Sequence, residues 1–411
     1  MASSGSAGRR RAASRGDSRT GPLRHSSLRH GARTTNTVWL PVTAAAGVLL
    51  LLLWYALSQE PTADNAASGK PAASALAAPE GEAAPSPLPT VPPPPTSGCQ
   101  TGNRLPAGIT TETITVDGVE RRYLLAIPQG GDTSGPLPLV LAFHRNGQTA
   151  EQLEEYTQIA TEGTKAGFAV ATLVGEKDRW NFTRSSSVGP DDVLFAGMVL
   201  NDLTGRTCLD ANRVFATGFS DGADMALATV CALPSRFAAV VAVAASVLPG
   251  SCDKPAASLL EIHGTEDQIA PYNGGGQPRP APYEGVVAQP VEERVSRYAA
   301  ALGCGTDRIR EQDLAEVTRT AWTACPSGKD VGILAMQGGG HTWPGAAERP
   351  ELGPTISRLS GTVVALAFFR GHPADGAATG SGGGSGGRSG DGGGTDGTGG
   401  ADAGGENGGD G

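Results

Sequence analysis

The strongest indication of the fold comes from Arg213 to Met225, which reads R-V-F-A-T-G-F-S-D-G-A-D-M. Residues 213–217 place three apolar side chains between polar ends, which predicts a short buried strand. Residues 223–233 predict a helix, so the pentapeptide G-x-S-x-G at 218–222 lies at a strand-to-helix junction. That context favours a nucleophilic serine over an ordinary turn with the same common string.

Ser220, the middle residue of the pentapeptide, is the candidate nucleophile. A serine in so tight a turn needs a glycine two residues away on each side, and the turn lifts its Oγ clear of the backbone. The N–H of Asp221 would then face developing negative charge at the start of the helix. The assignment still requires a base and an acid elsewhere in the chain.

The two ends of the chain differ in composition from the middle. Residues 1–37 contain eight arginines and one acidic residue and are interpreted as a basic cytoplasmic segment. Residues 373–411 are rich in Gly, Ser and Asp and predict a disordered tail, because they offer almost no apolar surface to bury. The basic end does not interleave basic with aromatic residues, so we expect no nucleic-acid partner.

Residues 38–57 form an uncharged apolar run, V-W-L-P-V-T-A-A-A-G-V-L-L-L-L-L-W-Y-A-L. Its length suits a bilayer core, and the preceding arginines predict a single-pass membrane anchor with the rest of the chain exported. A cleaved signal peptide is the alternative, since Ala56 and Ser58 fit a small-x-small cleavage site, and the protein would then be secreted. Residues 58–97, rich in Pro and Ala, predict a stalk that leads to one α/β domain at 98–372.

All six cysteines lie on the side of the apolar run that we expect to be exported. An even number of cysteines in an oxidising compartment predicts three disulfides, for which fifteen connectivities exist. Nearness along the chain favours Cys304–Cys325 and Cys231–Cys252, which leaves Cys99–Cys208. No C-x-x-C motif occurs, and we expect neither a metal site nor a cofactor.

The domain alternates apolar strands with helical patterns. The predicted strands are 111–116, 121–127, 137–143, 168–174, 213–217, 238–244, 259–262 and 331–336. The predicted helices are 151–166, 191–203, 223–233, 291–302 and 356–369. This alternation predicts an α/β fold with a mostly parallel sheet covered by helices on both faces.

A nucleophilic serine needs an imidazole base and a carboxylate that orients it. His341 is favoured as the base because it lies in a glycine-rich loop, 338–345, after the last predicted strand, whereas His144 and His263 each end a buried strand. The acid should lie between the serine and the base, where H-G-T-E-D-Q at 263–268 follows a strand. Asp267 is preferred to Glu266, which we expect at the surface.

Three segments together carry a family resemblance: GFSDGADMA at 218–226, HGTEDQIAPYNGGG at 263–276 and GGGHTWPG at 338–345. They resemble the secreted alpha/beta-hydrolase esterase family of polyhydroxybutyrate depolymerases and feruloyl or acetylxylan esterases. The resemblance covers about residues 98–371. It implies an alpha/beta-hydrolase fold, with Ser220 as nucleophile, Asp267 as orienting acid and His341 as base.

The chain departs from the family pattern where the oxyanion loop opens. The family usually has His-Gly after the third strand, and here the residue after His144 is Arg145. Because arginine takes a positive φ less readily than glycine, it stays open which N–H joins that of Asp221 in the oxyanion hole, with the Arg145 region as the candidate. We expect the Asp221 carboxylate to point to solvent, since negative charge near an oxyanion would slow the reaction.

Together these observations predict an extracytoplasmic serine esterase that acts through an acyl-enzyme. Its substrate would be a polymeric or polysaccharide-linked ester, either a hydroxyalkanoate polyester or a feruloylated or acetylated polysaccharide. Acyl transfer to a cell-wall acceptor would use the same residues, and a non-catalytic surface binding module is the alternative from another class. Trp180 and Trp343 are candidates for the pocket wall, with a place in the core as the other interpretation.

Overall fold

Ten strands form one mixed sheet in the computed structural model, which describes residues 88–130, 135–326 and 328–374. The strands are β1 (Gly108–Val116), β2 (Val119–Ile127), β3 (Leu137–Phe143), β4 (Ala169–Leu173), β5 (Leu209–Phe219), β6 (Ala239–Val243), β7 (Ser258–Gly264), β8 (Arg308–Leu314), β9 (Val317–Trp322) and β10 (Val331–Met336). Their order across the sheet is β1-β2-β4-β3-β5-β6-β7-β10-β9-β8. The six neighbouring strands β4-β3-β5-β6-β7-β10 run parallel, and antiparallel strands extend both edges of the sheet.

Helices cover the sheet on both faces. They are α1 (Gly98–Thr101), α2 (Ala150–Thr157), α3 (Ile159–Lys165), α4 (Asp192–Arg206), α5 (Asp221–Ala232), α6 (Val291–Leu302) and α7 (Gly361–Gly371). The buried apolar residues form two clusters, one containing residues of α4, α5 and α6 and the other residues of α2, α3 and α7. Along β3, Leu139 and Leu141 belong to the first cluster and Val140 to the second, as the two-residue period of a strand requires. The predicted sheet, mostly parallel and covered on both faces, is confirmed.

Most predicted elements occur where the apolar patterns place them, and two of the predicted helices have different bounds. The single helix predicted at 151–166 is wrong, because the chain turns at Gln158 with φ 54° and separates α2 from α3. The Glu154 carboxylate accepts the N–H groups of Ala160 and Thr161 and so begins the second helix. The last helix, α7, begins at Gly361 rather than at residue 356, because the Ser360 hydroxyl accepts the Val363 N–H and caps the first turn.

The hairpin of β8 and β9 was not predicted. The sequence of β8, R-I-R-E-Q-D-L, lacks the regular apolar alternation that indicates a half-buried strand, and all seven of its residues are exposed. The hairpin is held instead by its antiparallel pairing and by the pairing of β9 with β10.

The six cysteines form three disulfides: Cys99–Cys208, Cys231–Cys252 and Cys304–Cys325. No free cysteine remains among the described residues, and these are the pairs favoured from the sequence. Cys99–Cys208 ties the segment at α1 to the turn between α4 and β5.

Several sequence-based assignments concern residues that the structure does not describe. The basic segment 1–37, the apolar run 38–57, the stalk as far as residue 87 and the tail from residue 375 lie outside the described residues. Residues 88–97, assigned to the stalk, contact α4 through a hydrogen bond from Asn201 Nδ2 to the Pro92 carbonyl at 2.9 Å. Within the described ranges, no helix is both long enough and apolar enough to cross a membrane.

Candidate active site

The turn that carries Ser220 joins β5 to α5 and brings backbone segments unusually close together. Ser220 has φ 58° and ψ −124°, a strained conformation that costs a residue with a side chain about 1–3 kcal/mol. A Cβ atom on Gly218 would lie 2.1 Å from the carbonyl oxygen of Gly222, and one on Gly222 would lie 2.1 Å from that of Phe143. Only glycine fits at these two positions, which gives the physical reason for the G-x-S-x-G pattern.

Ser220, Asp267 and His341 come together although they lie on three separate loops. The loops follow the carboxyl ends of three parallel strands, β5 for Ser220, β7 for Asp267 and β10 for His341. His341 Nε2 lies 2.7 Å from Ser220 Oγ, and His341 Nδ1 lies 2.7 Å from Asp267 Oδ2. Because an ionised carboxylate can only accept, Nδ1 carries the ring proton and Nε2 accepts from the serine hydroxyl.

The Asp267 loop is fixed by its own backbone and by close packing on the His341 loop. Asp267 Oδ1 accepts the N–H groups of Ile269 and Ala270 at 2.8 and 2.7 Å. A Cβ atom on Gly264 would lie 2.2 Å from the carbonyl oxygen of Gly340, so the two loops touch at glycine. One carboxylate oxygen is thus held by backbone donors, and the other is left for the histidine.

A second histidine, His263, lies behind Asp267 in a fully buried network. Its Nδ1 lies 3.0 Å from Glu261 Oε1, and its Nε2 lies 2.7 Å from the Ala270 carbonyl oxygen and 3.4 Å from Asp267 Oδ2. Burial lowers the pKa of His263, but the hydrogen bonds with Asp267 and Glu261 outweigh it and raise that pKa above its ordinary value. Arg294 Nη2 completes the network at 2.5 Å from Glu261 Oε1.

This network stabilises the ionised form of Asp267, whose carboxylate faces His341. Burial alone would raise the pKa of Asp267, yet the hydrogen bonds from His263 and His341 hold it well below its usual range. From the sequence, His263 was only an alternative base, and no pattern indicated Arg294. The available signal was the spacing of Glu261 and His263, which places both on one face of β7 and predicts that they are neighbours.

The loop after β3 places Arg145 in the cleft that contains Ser220. His144 Nδ1–H donates to the Arg145 carbonyl at 2.8 Å, and His144 Nε2 accepts from the Gly175 N–H at 2.9 Å. Burial lowers the pKa of His144 to about 4, so this ring is neutral at physiological pH. The positive φ in this loop falls on Gly147, at 73°, so arginine is not forced into a conformation that favours glycine.

The expectation that the Asp221 carboxylate points to solvent is wrong. Its side chain is buried, and Oδ1 forms an ion pair with Arg279 Nη1 at 2.7 Å. Burial raises the pKa of Asp221 to about 6, although the Arg279 guanidinium opposes that shift. Arg279 also contacts Asp224 Oδ2 at 3.0 Å and donates to Ser246 Oγ at 2.6 Å. The arginine offsets the negative charge beside the serine, a compensation that the local sequence did not indicate.

Trp180 and Trp343 lie in the core, which is the second of the two interpretations left open by the sequence, and neither lines the cleft at Ser220. Both side chains are fully buried, in different apolar clusters. Trp180 Nε1 donates to the His144 carbonyl at 2.7 Å, and Trp343 Nε1 donates to Thr362 Oγ1 at 3.0 Å. Because each indole N–H has a partner inside the core, neither ring needs to face the cleft.

The cleft at Ser220 has a volume of about 280 Å³. The loop between β7 and α6, from Arg279 to Tyr283, forms one wall, and Arg145, Asn146 and Arg179 lie on the lining as well. Within the described part of the chain, no group of three or more His, Cys, Asp or Glu side chains is placed to hold a metal ion.

The sheet order, the strained serine after β5 and the aspartate and histidine after β7 and β10 define an alpha/beta hydrolase. A model of the phospholipase/carboxylesterase family matches residues 195–280. The candidate esterase NocK of Nocardia uniformis subsp. tsuyamanensis is 31% identical over 294 residues, which are 64% of this chain and 83% of that protein.

Two further proteins are similar to this chain. Feruloyl esterase D of Neurospora crassa is 27% identical over 258 residues, 60% of this chain and 82% of that protein. The acetyl xylan esterase structure from Aspergillus awamori has a TM-score of 0.42 and 15% identity, covering 57% of this chain and 94% of that one. The chain belongs to the esterase family of NocK, as predicted. The predicted likeness to polyhydroxybutyrate depolymerases stays a prediction.

Replacing Gly222 with alanine should destabilise the fold by about 1–3 kcal/mol, because the added methyl group overlaps the Phe143 and His144 carbonyl oxygens. Alanine is otherwise the better helix residue, so a loss of stability isolates the overlap. Urea unfolding measures the effect. Gly250→Ala is the matched control, since a Cβ atom there meets nothing within 4 Å. Equal stabilities for the two variants would contradict the proposed constraint.

Asp267→Asn should reduce the loss of unfolding free energy that the protein shows as the pH falls. The folded pKa of Asp267 is depressed, so its contribution is present above the unfolded value near 3.8 and is lost as the pH falls below it. Between pH 6 and pH 3 the parent should lose about 1 kcal/mol more than the variant.

The measurement is the free energy of unfolding by urea at stepped pH. Asp253→Asn, which removes an exposed carboxylate, should follow the parent curve and serves as the control. Parallel curves for the parent and Asp267→Asn would show that Asp267 carries no depressed pKa.

Proposed function

We propose that the protein hydrolyses carboxylic esters through an acyl-enzyme, with Ser220 as nucleophile, His341 as general base and Asp267 as the orienting acid. The observation that carries this proposal is the pair of 2.7 Å contacts that joins the three side chains. Ser220 Oγ attacks the ester carbonyl carbon while its proton passes to His341 Nε2. His341 then donates that proton to the leaving alkoxide, and a water molecule hydrolyses the acyl-enzyme by the same steps.

The carbonyl oxygen becomes negatively charged as Ser220 attacks, and backbone donors at the cleft would stabilise it. The N–H of Asp221 stands at the amino end of α5, where the helix dipole adds to its attraction. The N–H of Arg145 is the second candidate, because its loop lines the same cleft. In the part of the chain that the structure describes, neither N–H donates to a backbone or side-chain acceptor.

Asp267 supports the charge that His341 gains during the reaction. Its carboxylate accepts from His341 Nδ1 and fixes the tautomer that leaves Nε2 able to take the serine proton. His263 and the backbone N–H groups of Ile269 and Ala270 hold the carboxylate in place from behind. A carboxylate so supported stays ionised through the catalytic cycle.

The substrate class comes from the relatives and from the size of the cleft. Feruloyl esterases of fungi share 27–30% identity with parts of this chain, so a feruloylated or acetylated polysaccharide is the proposed ester. A volume of about 280 Å³ suits one aromatic or short acyl group with the polymer outside. A hydroxyalkanoate polyester is the alternative that the sequence motifs left open.

We place the catalytic domain outside the cytoplasm, on a single-pass anchor formed by residues 38–57. The three disulfides support an oxidising compartment. The charge and length of the sequence before residue 58 support the anchor.

Ser220→Ala should lower kcat/KM for a short para-nitrophenyl ester by about 10³-fold or more, because it removes the attacking oxygen. Ser251→Ala, on an exposed loop, is the matched control and should retain parental activity. Thermal unfolding of both variants checks that the fold persists. Activity of Ser220→Ala within about tenfold of the parent would refute the assignment of the nucleophile.

The full-length protein should sediment with membranes and be released by detergent but not by high salt. An apolar span holds the protein by burial in the bilayer, which salt does not weaken, whereas a peripheral charge contact is screened. External protease added to intact cells should remove the esterase activity from the membrane fraction. Recovery of a soluble exported form that begins near Gln59 would show a cleaved signal peptide instead.

A further inference from the structure

Three arginine side chains line the cleft at Ser220: Arg145, Arg179 and Arg279. Asp221 is the one carboxylate among the described residues of that lining. The full chain has a net charge of −9. The cleft, with three arginines and one carboxylate, is therefore more positive than the chain as a whole.

Arg279 is neutralised by residues of the fold. It pairs with Asp221 at 2.7 Å and with Asp224 at 3.0 Å. Its guanidinium also lies 5.8 Å from the centre of the Tyr283 ring. These contacts fix Arg279 as part of the wall, and its charge is not available to a ligand.

Arg145 and Arg179 have no such partners. In the described part of the chain, neither guanidinium has a carboxylate within ion-pair distance. Glu176, the acidic neighbour of Arg179, pairs with Lys177 instead. The Nε atom of Arg145 is buried and has no hydrogen-bond partner. A buried unpaired donor costs about 1–3 kcal/mol, and a bound anion would remove that cost.

We propose that the cleft selects esters that carry a carboxylate close to the scissile bond, and that Arg145 and Arg179 bind this carboxylate. A guanidinium presents a planar fork of donors that matches a carboxylate, and it keeps its charge at any physiological pH. The inference rests on the proposed function, because it assigns a substrate class to the same cleft. The carboxylate can belong to the acyl part or to the alcohol part of the ester, and the two arms of the test separate these sources.

The first arm compares the para-nitrophenyl monoester of adipic acid with methyl para-nitrophenyl adipate. The second compound carries a methyl ester in place of the free carboxylate and so lacks the charge on the acyl part. The second arm compares meta-acetoxybenzoate with meta-acetoxybenzamide, which lacks the charge on the alcohol part. In at least one arm, kcat/KM should be about tenfold higher for the anionic ester. The preference should shrink as salt rises from low to high concentration.

The variants Arg145→Gln and Arg179→Gln should each lower the anionic-to-neutral ratio of kcat/KM by about fivefold or more. Arg179→Lys should restore part of it, because the charge returns without the fork. Arg370→Gln is the matched control: it removes one arginine at the opposite edge of the sheet, beside Ala166 and Phe168, and should leave the ratio unchanged. Two separate arginines are tested so that a folding defect at one, seen in thermal unfolding, leaves the other informative.

A binding measurement keeps this inference separate from the proposed chemistry. Calorimetric titration of Ser220→Ala with monomethyl adipate and with dimethyl adipate should show tighter binding of the monoanion, and adding Arg179→Gln should abolish the difference. Equal rates for anionic and neutral esters in both arms, or a ratio that survives both arginine variants, would overturn the carboxylate site. Hydrolysis of none of the four esters, with the binding preference intact, would refute the proposed function alone.

Discussion

The close approach of backbone segments at the turn after β5 is the constraint on which the site depends. Gly218 and Gly222 leave no room for a Cβ atom, and Ser220 keeps a strained backbone between them. Such strain of about 1–3 kcal/mol persists only where the surroundings over-determine the conformation. Here the Ser220 N–H donates to the Val243 carbonyl at 2.9 Å, and β5 lies between β3 and β6 near the centre of the sheet. The rigid centre of the sheet therefore fixes the position of the serine oxygen.

A row of buried charges extends from the site into the interior with alternating sign. Arg294, Glu261, His263 and Asp267 follow one another at distances of 2.5, 3.0 and 3.4 Å, and Asp267 then accepts from His341 Nδ1 at 2.7 Å. Each buried charge would be costly alone, and each has an opposite neighbour that offsets its desolvation. Because the row begins on α6 and passes through β7, the helix and the strand both contribute to the orientation of His341.

The sequence was sufficient to predict the parallel sheet, the disulfide pairs and the three residues that meet at the site. Parallel strands end at one edge, so polar residues after β5, β7 and β10 had to be neighbours. The direction of individual side chains was not predictable in the same way. The buried Asp221 carboxylate depends on Arg279, and the Trp180 ring depends on the His144 carbonyl, and both partners are remote in sequence. Such pairings arise from tertiary contacts that no local pattern records.

The proposed role of Arg145 separates the chemistry of the reaction from the choice of substrate. In the proposed reaction, the group that the loop after β3 contributes is a backbone N–H, which every residue except proline possesses. The φ that requires glycine falls on Gly147, and His144 fixes the loop through its two ring nitrogens. The side chain at 145 is thereby free to vary without a change in the backbone donor. A guanidinium at this position can alter the charge of the cleft while the donor beside Ser220 keeps its place.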